Sequence, residues 1–312
     1  MYAVAIHGGA GLSTPEDLGA EREKIARAAL HQSLLAAEAV LKNGGSAEDA
    51  CIAAVVVMED SPMFNAGKGS VFASDGVQRM DASIMTGHDE KAGALCGVSK
   101  IRNPIRLASA IMHKTPHVML YGEDAHTLAR AEGIDEVEPS WFHTEYRLQQ
   151  LKKAIKANKI MLDHEHVDKG MPKGTVGAVA LDSDGNIAAA TSTGGLVNKR
   201  PGRVGDSAII GAGTYAKNQT CAVSATGHGE LFIRANVAGR LSNMIEFGGR
   251  TLTEAANQIV FGELDDDVGG LIAIDRKGNI TMPFNTGGMF RGELTKGDSP
   301  LVWVWKDEEN QS

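Results

Sequence analysis

Two periods of hydrophobic spacing alternate along the chain and divide it into strands and helices. Residues 2–6 form a short apolar run that predicts a strand, ending in the glycine loop His7-Gly-Gly-Ala-Gly11. From residue 21 to 43, Ile25, Ala29, Leu34, Ala37 and Leu41 recur at helical spacing, and Asn43-Gly44-Gly45 stops the helix. Ser46-Ala-Glu-Asp49 resembles a capping box and opens a second helix. That helix should end near Glu59, because Pro62 restricts the residue before it. Residues 80–85 and 92–98 read as strands, a helix follows Asn103-Pro104 as far as Lys114, and 117–121 is another short strand. A helix with a charged face runs from Thr144 to about Asn158.

The texture then changes. Residues 159–174 are polar, charged and aperiodic, with Gly170, Pro172 and Gly174, and predict an exposed linker or processing loop. Strands at 176–182 and 186–192 flank a Ser-Asp-Gly turn and form a hairpin. Residues 177–195 align without gaps to 270–288, with nine of 19 identical, which places a matching hairpin 93 residues later. Shared turn chemistry is the simpler source of that match, and a true repeat is the alternative. Between the hairpins lie a strand at 221–225, a helix over about 230–247, and a shorter helix from Thr253. Paired strands with helices gathered in runs argue for an α+β fold over βαβ winding.

Composition narrows the class. The 312 residues are 43% hydrophobic and 22% charged, enough to bury a sizeable core. Glycine, at 37 residues, is well above its usual share of roughly 7%, yet no G-x-y period points to a fibre. The net charge of −8 argues against nucleic acid or an anionic membrane as the main partner. The longest apolar run, residues 50–58, is about half a membrane span. The start of the chain lacks a basic n-region, and Cys51, Cys96 and Cys221 are far apart and odd in number. A reducing cytoplasm is the expected compartment.

Several motifs are decoys. Gly211-Ala-Gly213-Thr-Tyr-Ala216 fits a dinucleotide fingerprint, but the chain leads on into a strand where that site needs a helix. Gly67-Lys68-Gly69-Ser70 lacks the upstream glycine of a P-loop, and no G-x-S-x-G elbow occurs. His164-Glu-His166 looks chelating but sits in the polar linker, and none of the ten histidines has an obvious serine partner. What remains is a concentration of small polar residues in the second half: Gly174-Thr175, Thr191-Ser192-Thr193-Gly-Gly195, Arg203-Val-Gly-Asp206 and Thr226-Gly227-His-Gly229. The last joins a strand to a helix N-terminus, which offers free N–H groups and a partial positive charge suited to an oxyanion.

Together with IHGGAG at 6–11, FNAGKGSVF at 64–72 and MDASIM at 80–85, these segments, the first two joined in one block at 174–195, make six blocks in a fixed order. In them the chain resembles the isoaspartyl peptidase / L-asparaginase (plant-type asparaginase) family of N-terminal nucleophile hydrolases, nearly end to end. The resemblance implies a four-layer αββα sandwich and a single catalytic domain that cuts itself between Gly174 and Thr175. The products would be an α-subunit, 1–174, and a β-subunit, 175–312. The freed Thr175 amine, with an unperturbed pKa of about 7.7–8.0, would serve as base to its own hydroxyl.

Family likeness also assigns the other roles. Thr226 and the Gly227 N–H form the oxyanion hole, and Thr193 supports the Thr175 hydroxyl or amine. Arg203 holds the substrate α-carboxylate by its fork, and Asp206 holds the α-ammonium. Gly229 and Asn65 line the substrate site. Main-chain carbonyls of Met58, Glu59, Ser61, Phe64, Ala66 and Lys68 hold a structural sodium ion, and no cofactor is needed for catalysis. The implied reaction is hydrolysis of β-aspartyl dipeptides and L-asparagine to L-aspartate, by an (αβ)₂ dimer of processed protomers. Glycosylasparaginase, which cleaves GlcNAc–Asn, and an inactive scaffold on the same fold are the alternatives. Gly174 stands where glycosylasparaginases usually have Asp. His228 is expected to cap the helix that follows it.

Overall fold

Strand β1 (Ala3–Leu12) carries the first apolar run through the glycine loop to Leu12, twice the expected length. A computed structural model describes residues 1–12, 14–157, 174–306 and 308, so most of the predicted linker, with His164 and His166, lies outside the described residues. A short helix α1 (Pro15–Leu18) precedes α2 (Ala20–Lys42) and α3 (Ala47–Glu59). Ser46 caps α3, its hydroxyl accepting from the Asp49 N–H at 3.0 Å. Next come β2 (Met80–Thr86), β3 (Ala92–Val98), α4 (Pro104–Lys114), β4 (Met119–Tyr121), α5 (Gly122–Ala131) and α6 (Glu145–Lys156). The second half holds β5 (Val176–Leu181), β6 (Ile187–Thr193), β7 (Thr214–Ala216), β8 (Ala222–Gly227), α7 (Gly229–Ala235), α8 (Val237–Glu246) and α9 (Leu252–Asn257). It closes with β9 (Gly269–Ile274), β10 (Ile280–Thr281), β11 (Gly288–Thr295) and β12 (Leu301–Trp305).

The strands form two sheets. The larger runs β12-β11-β1-β5-β6-β2-β3-β4 and the smaller β10-β9-β8-β7. Strand alternation sorts the side chains into three apolar layers. Val4, Ile6, Ala178 and Ala180 face outward, onto Leu30 and Leu34 of α2, Val55 of α3 and Ile111 of α4. Ala3, Ala5, Val179 and Leu181, on the opposite face, meet Ala222, Ile272 and Ile274 of the smaller sheet. The outer face of that sheet, Val223, Ala225, Leu271 and Ala273, is covered by Phe232, Val237, Leu241 and Ala255. Helix, sheet, sheet, helix is the expected αββα sandwich. Burial on both faces explains why β1 and β5 read as continuous apolar runs rather than alternating ones.

Two expectations change and two features are new. The helix over 230–247 is two helices, broken at Asn236, which adopts a left-handed backbone (φ 49°). The apolar periodicity runs on across the break and hides it. β3 and β4 pair in parallel across α4, so one βαβ crossover sits at the sheet edge in a fold otherwise read as free of them. α5 follows β4 directly and was not predicted. The two similar hairpins fall in different sheets, β5-β6 in the larger and β9-β10 in the smaller.

Candidate functional site

Thr175 sits just ahead of β5, buried, where the two sheets face each other. Its hydroxyl donates to Thr193 Oγ1 at 3.1 Å, and Thr193 Oγ1 also accepts the Gly195 N–H at 3.0 Å. The β5-β6 hairpin sets this pairing, since Val176 lies opposite Ser192. Gly174 is held in a backbone conformation that favours glycine (φ 120°), and a Cβ there would stand 2.2 Å from the Gly9 Cα. β1 makes room by shifting register between His7 and Gly9 and again between Ala10 and Leu12. The glycine loop of the sequence is therefore a bulged strand laid under the Gly174–Thr175 bond.

Asn65 clamps that bond from the other side. Its backbone N–H donates to the Gly174 carbonyl at 3.1 Å, and its own carbonyl accepts from Gly194 N at 2.8 Å. Its side chain donates to the Gly195 carbonyl at 2.7 Å and accepts from Val71 N at 3.0 Å. An amide committed to two loops braces the site. Thr226, at the end of β8, reaches across from the smaller sheet, and its Oγ1 accepts the Ala10 N–H at 3.3 Å. Its hydroxyl proton remains to be donated. Gly227 beside it is tightly enclosed, since a Cβ would meet the Val268 carbonyl at 2.5 Å.

The third group lies on the loop between β6 and β7. A Cβ on Gly195 would stand 3.3 Å from Arg203 Nη1, so the guanidinium adjoins the Thr193 loop. A Cβ on Gly229 would stand 2.9 Å from Asp206 Oδ1 and 3.0 Å from Arg203 Nη2, which places Arg203, Asp206 and Gly229 around one space. Asp206 is buried, with Oδ2 lacking a hydrogen-bond partner. Burial pushes its carboxyl up to about 7, against the pull of the Arg203 charge. An acid this poorly served invites a cation.

One expectation is corrected here, the cap by His228, and one partner is new. The Nε and Nη2 edge of Arg203 is paired with Glu230 at 2.9 Å on both bonds, with Nη1 outside that pair. Glu230 lies 27 residues downstream on the first turn of α7, and spacing gave no hint of it. His228 is the N-cap residue of α7 but makes no side-chain cap; its Nδ1 lies 3.2 Å from Glu230 Oε2.

Other residues packed at the site escaped the sequence altogether. His7, seen only as the edge of a glycine loop, has Nδ1 3.0 Å from the Thr175 carbonyl and Nε2 2.9 Å from Ser224 Oγ. A histidine with a serine partner therefore exists, although the pair faces the nucleophile's backbone rather than its hydroxyl. Lys199 is buried beside Gly195 and donates to the Arg79 carbonyl at 2.8 Å; desolvation lowers its pKa. The nucleotide-like Gly211-x-Gly213 segment runs into β7, a strand, as expected.

In the predicted sodium loop, the Met58 and Ala66 carbonyls accept main-chain bonds from Ser61 and Gly69, at 3.2 and 3.1 Å. The Glu59 and Phe64 carbonyls turn inward against Gly67 and Gly69, whose Cβ atoms would stand 2.3 and 2.0 Å away. Main-chain carbonyl oxygens are the kind of donor a hard cation takes.

The family model described as asparaginase matches residues 1–303. The isoaspartyl peptidase of Escherichia coli K12 is 45% identical over 309 residues, covering 98% of this chain and 96% of that protein. The isoaspartyl peptidase/L-asparaginase of Bos taurus is 42% identical, covering 92% and 91%, and that of Homo sapiens 43%, covering 88% and 87%. The chain belongs to the asparaginase family of N-terminal nucleophile hydrolases.

Proposed function

We propose that this chain cuts itself between Gly174 and Thr175 and then hydrolyses β-aspartyl dipeptides and L-asparagine, releasing L-aspartate. The observation that carries the reading is the Thr175–Thr193 hydroxyl pair at 3.1 Å, set against a glycine wedged over the β1 bulge. Self-cleavage begins when Thr175 Oγ1 attacks the Gly174 carbonyl carbon. The Asn65 N–H, 3.1 Å from the Gly174 oxygen, stabilises the charge that develops there. The amide becomes an ester and the Thr175 amine is released; water then hydrolyses the ester and restores the hydroxyl.

In turnover, the freed amine takes the Thr175 hydroxyl proton as Oγ1 attacks the substrate side-chain carbonyl. The Thr226 hydroxyl and Gly227 N–H hold the oxyanion, and Thr193 keeps Oγ1 aligned. The ammonium returns its proton to the leaving amine, and water, activated by the same amine, frees aspartate. Arg203 takes the α-carboxylate on its Nη1 side and Asp206 takes the α-ammonium. Both demand a free α-amino acid end, which selects β-linked over ordinary α-linked peptides.

The 61–69 loop, by this reading, holds a structural sodium ion through the Glu59 and Phe64 carbonyls, helped by those of Met58, Ser61, Ala66 and Lys68. The ion would stiffen the loop that carries Asn65. Processed protomers pair as (αβ)₂, and light scattering on the purified protein tests that stoichiometry.

A denaturing gel of wild type beside Thr175→Ala tests the reading. Wild type should give fragments of about 18 and about 15 kDa from a 32.9 kDa chain, and the variant one intact band. Turnover of β-Asp-Leu by Thr175→Ala would refute the mechanism. A wild type that prefers GlcNAc–Asn would move the substrate class.

A further inference from the structure

Cleavage at Gly174–Thr175 removes one of the two peptide bonds that hold the nucleophile. In the reading above, Thr175 then depends on its link to Val176 and on whatever holds its remaining polar atoms. Thr193 holds the hydroxyl. The carbonyl lies 3.0 Å from His7 Nδ1, a fully buried ring.

The proton positions on this histidine follow from its partners. A carbonyl only accepts, so His7 Nδ1 carries the hydrogen and donates it to the Thr175 oxygen. The bare Nε2 then accepts from the Ser224 hydroxyl at 2.9 Å. Ser224 in turn accepts from Thr191 at 2.7 Å and Thr191 from Thr214 at 2.5 Å, while Ser83, 2.7 Å from Thr214, has the Ser207 carbonyl at 2.6 Å as the acceptor of its own proton. All four hydroxyl residues are fully buried. From Thr214 to the nucleophile's carbonyl the bonds run in one direction, in the space between the two sheets, and such a chain strengthens each of its members.

Gly177 leaves the space this chain needs. A Cβ there would stand 1.9 Å from Ser224 Oγ and 2.4 Å from His7 Nε2, so any side chain would break the His7–Ser224 bond. Burial also lowers the His7 pKa to about 3, which keeps the ring neutral in the working range.

We propose that His7 is a positioning residue for the Thr175 nucleophile: the buried hydroxyl chain holds its ring, and its Nδ1–H grips the Thr175 carbonyl after the preceding peptide bond is cut. This rests on Thr175 being the nucleophile. A terminal residue released by about 1 Å would lose roughly 10²-fold in rate while the distant substrate contacts stayed intact.

The test compares wild type, His7→Phe, His7→Asn and Ser224→Ala with β-Asp-Leu, scoring kcat per cleaved chain on a gel and checking the fold by thermal melting. Asn can place an amide N–H near the Nδ1 position, while Phe cannot donate. His7→Phe should lower kcat about 100-fold with KM changed less than about threefold, His7→Asn should restore at least tenfold of that, and Ser224→Ala should fall between. Equal losses in His7→Asn and His7→Phe, or a loss confined to KM, would overturn the proposal. So would unchanged kcat in Ser224→Ala, which decides the matter should His7→Phe not fold. An inactive wild type would instead refute the reading of Thr175 as nucleophile, so the two failures are told apart by the control.

Discussion

Asp206, the proposed holder of the α-ammonium, is also a stability liability. Unfolded, its carboxyl ionises near 4; in the fold, burial holds the proton until about 7. The folded state therefore binds more protons between those values, and stability falls as pH rises from about 4 to about 7, the full penalty applying above 7. Asp206→Asn should melt above wild type at pH 8.5, the gap closing below about pH 4, as differential scanning calorimetry would show. The same variant should lose the site's grip on an α-ammonium, so KM for β-Asp-Leu should rise. In wild type KM should fall as pH rises through about 7, because the bound ammonium needs the charged acid. Asp206, Arg203 and Thr175 were legible in the sequence because motif order marked them. The pairing of Arg203 with Glu230, and of His7 with Thr175 across 168 residues, was not, since only the closed fold brings those atoms together.

Among the elements, the break between α7 and α8 turns on one backbone angle. Asn236 ends one helix and begins the next at φ 49° and ψ 49°, a conformation that costs most L-residues roughly 1–2 kcal/mol. Asn tolerates it through local hydrogen bonding. Asn236→Ala should therefore destabilise the protein by about 1 kcal/mol and Asn236→Gly should recover most of that, as read from urea unfolding. This break aims α7, and with it Glu230, at Arg203. Long periodic elements such as α2, α3 and the β5-β6 hairpin were readable because one pattern fixes each. The α7/α8 break and the parallel β3-β4 pair were not, because apolar spacing is blind to a single left-handed residue and to strand direction.

For the molecule as a whole, the order of strands matters more than their number. In the larger sheet β1 lies between β11 and β5, and β2 pairs with β6. A cut at 174 therefore leaves three ladders joining the two pieces: β1 with β11, β1 with β5, and β2 with β6. The fragments should co-elute in size-exclusion chromatography under native conditions, and a tag on the 1–174 piece should retain the 175–312 piece until denaturant is added. Separation in plain buffer would contradict this arrangement. The α+β class was legible from paired strands and gathered helices, and the layer order came with the family resemblance, while the interleaving was not legible, since pairing between distant strands leaves no mark in local sequence.

The same interleaving sets a clock on the chain's own synthesis. β1 is made long before one of its partners, β11, which begins only at Gly288. Contacts this far apart close late. Until they close, the bulge under Gly174 has no fixed shape and Thr226 has no Ala10 N–H to meet. On the proposed reading the bond at 174 therefore breaks only after β11 has closed onto β1, and a free Thr175 amine would mark that closure.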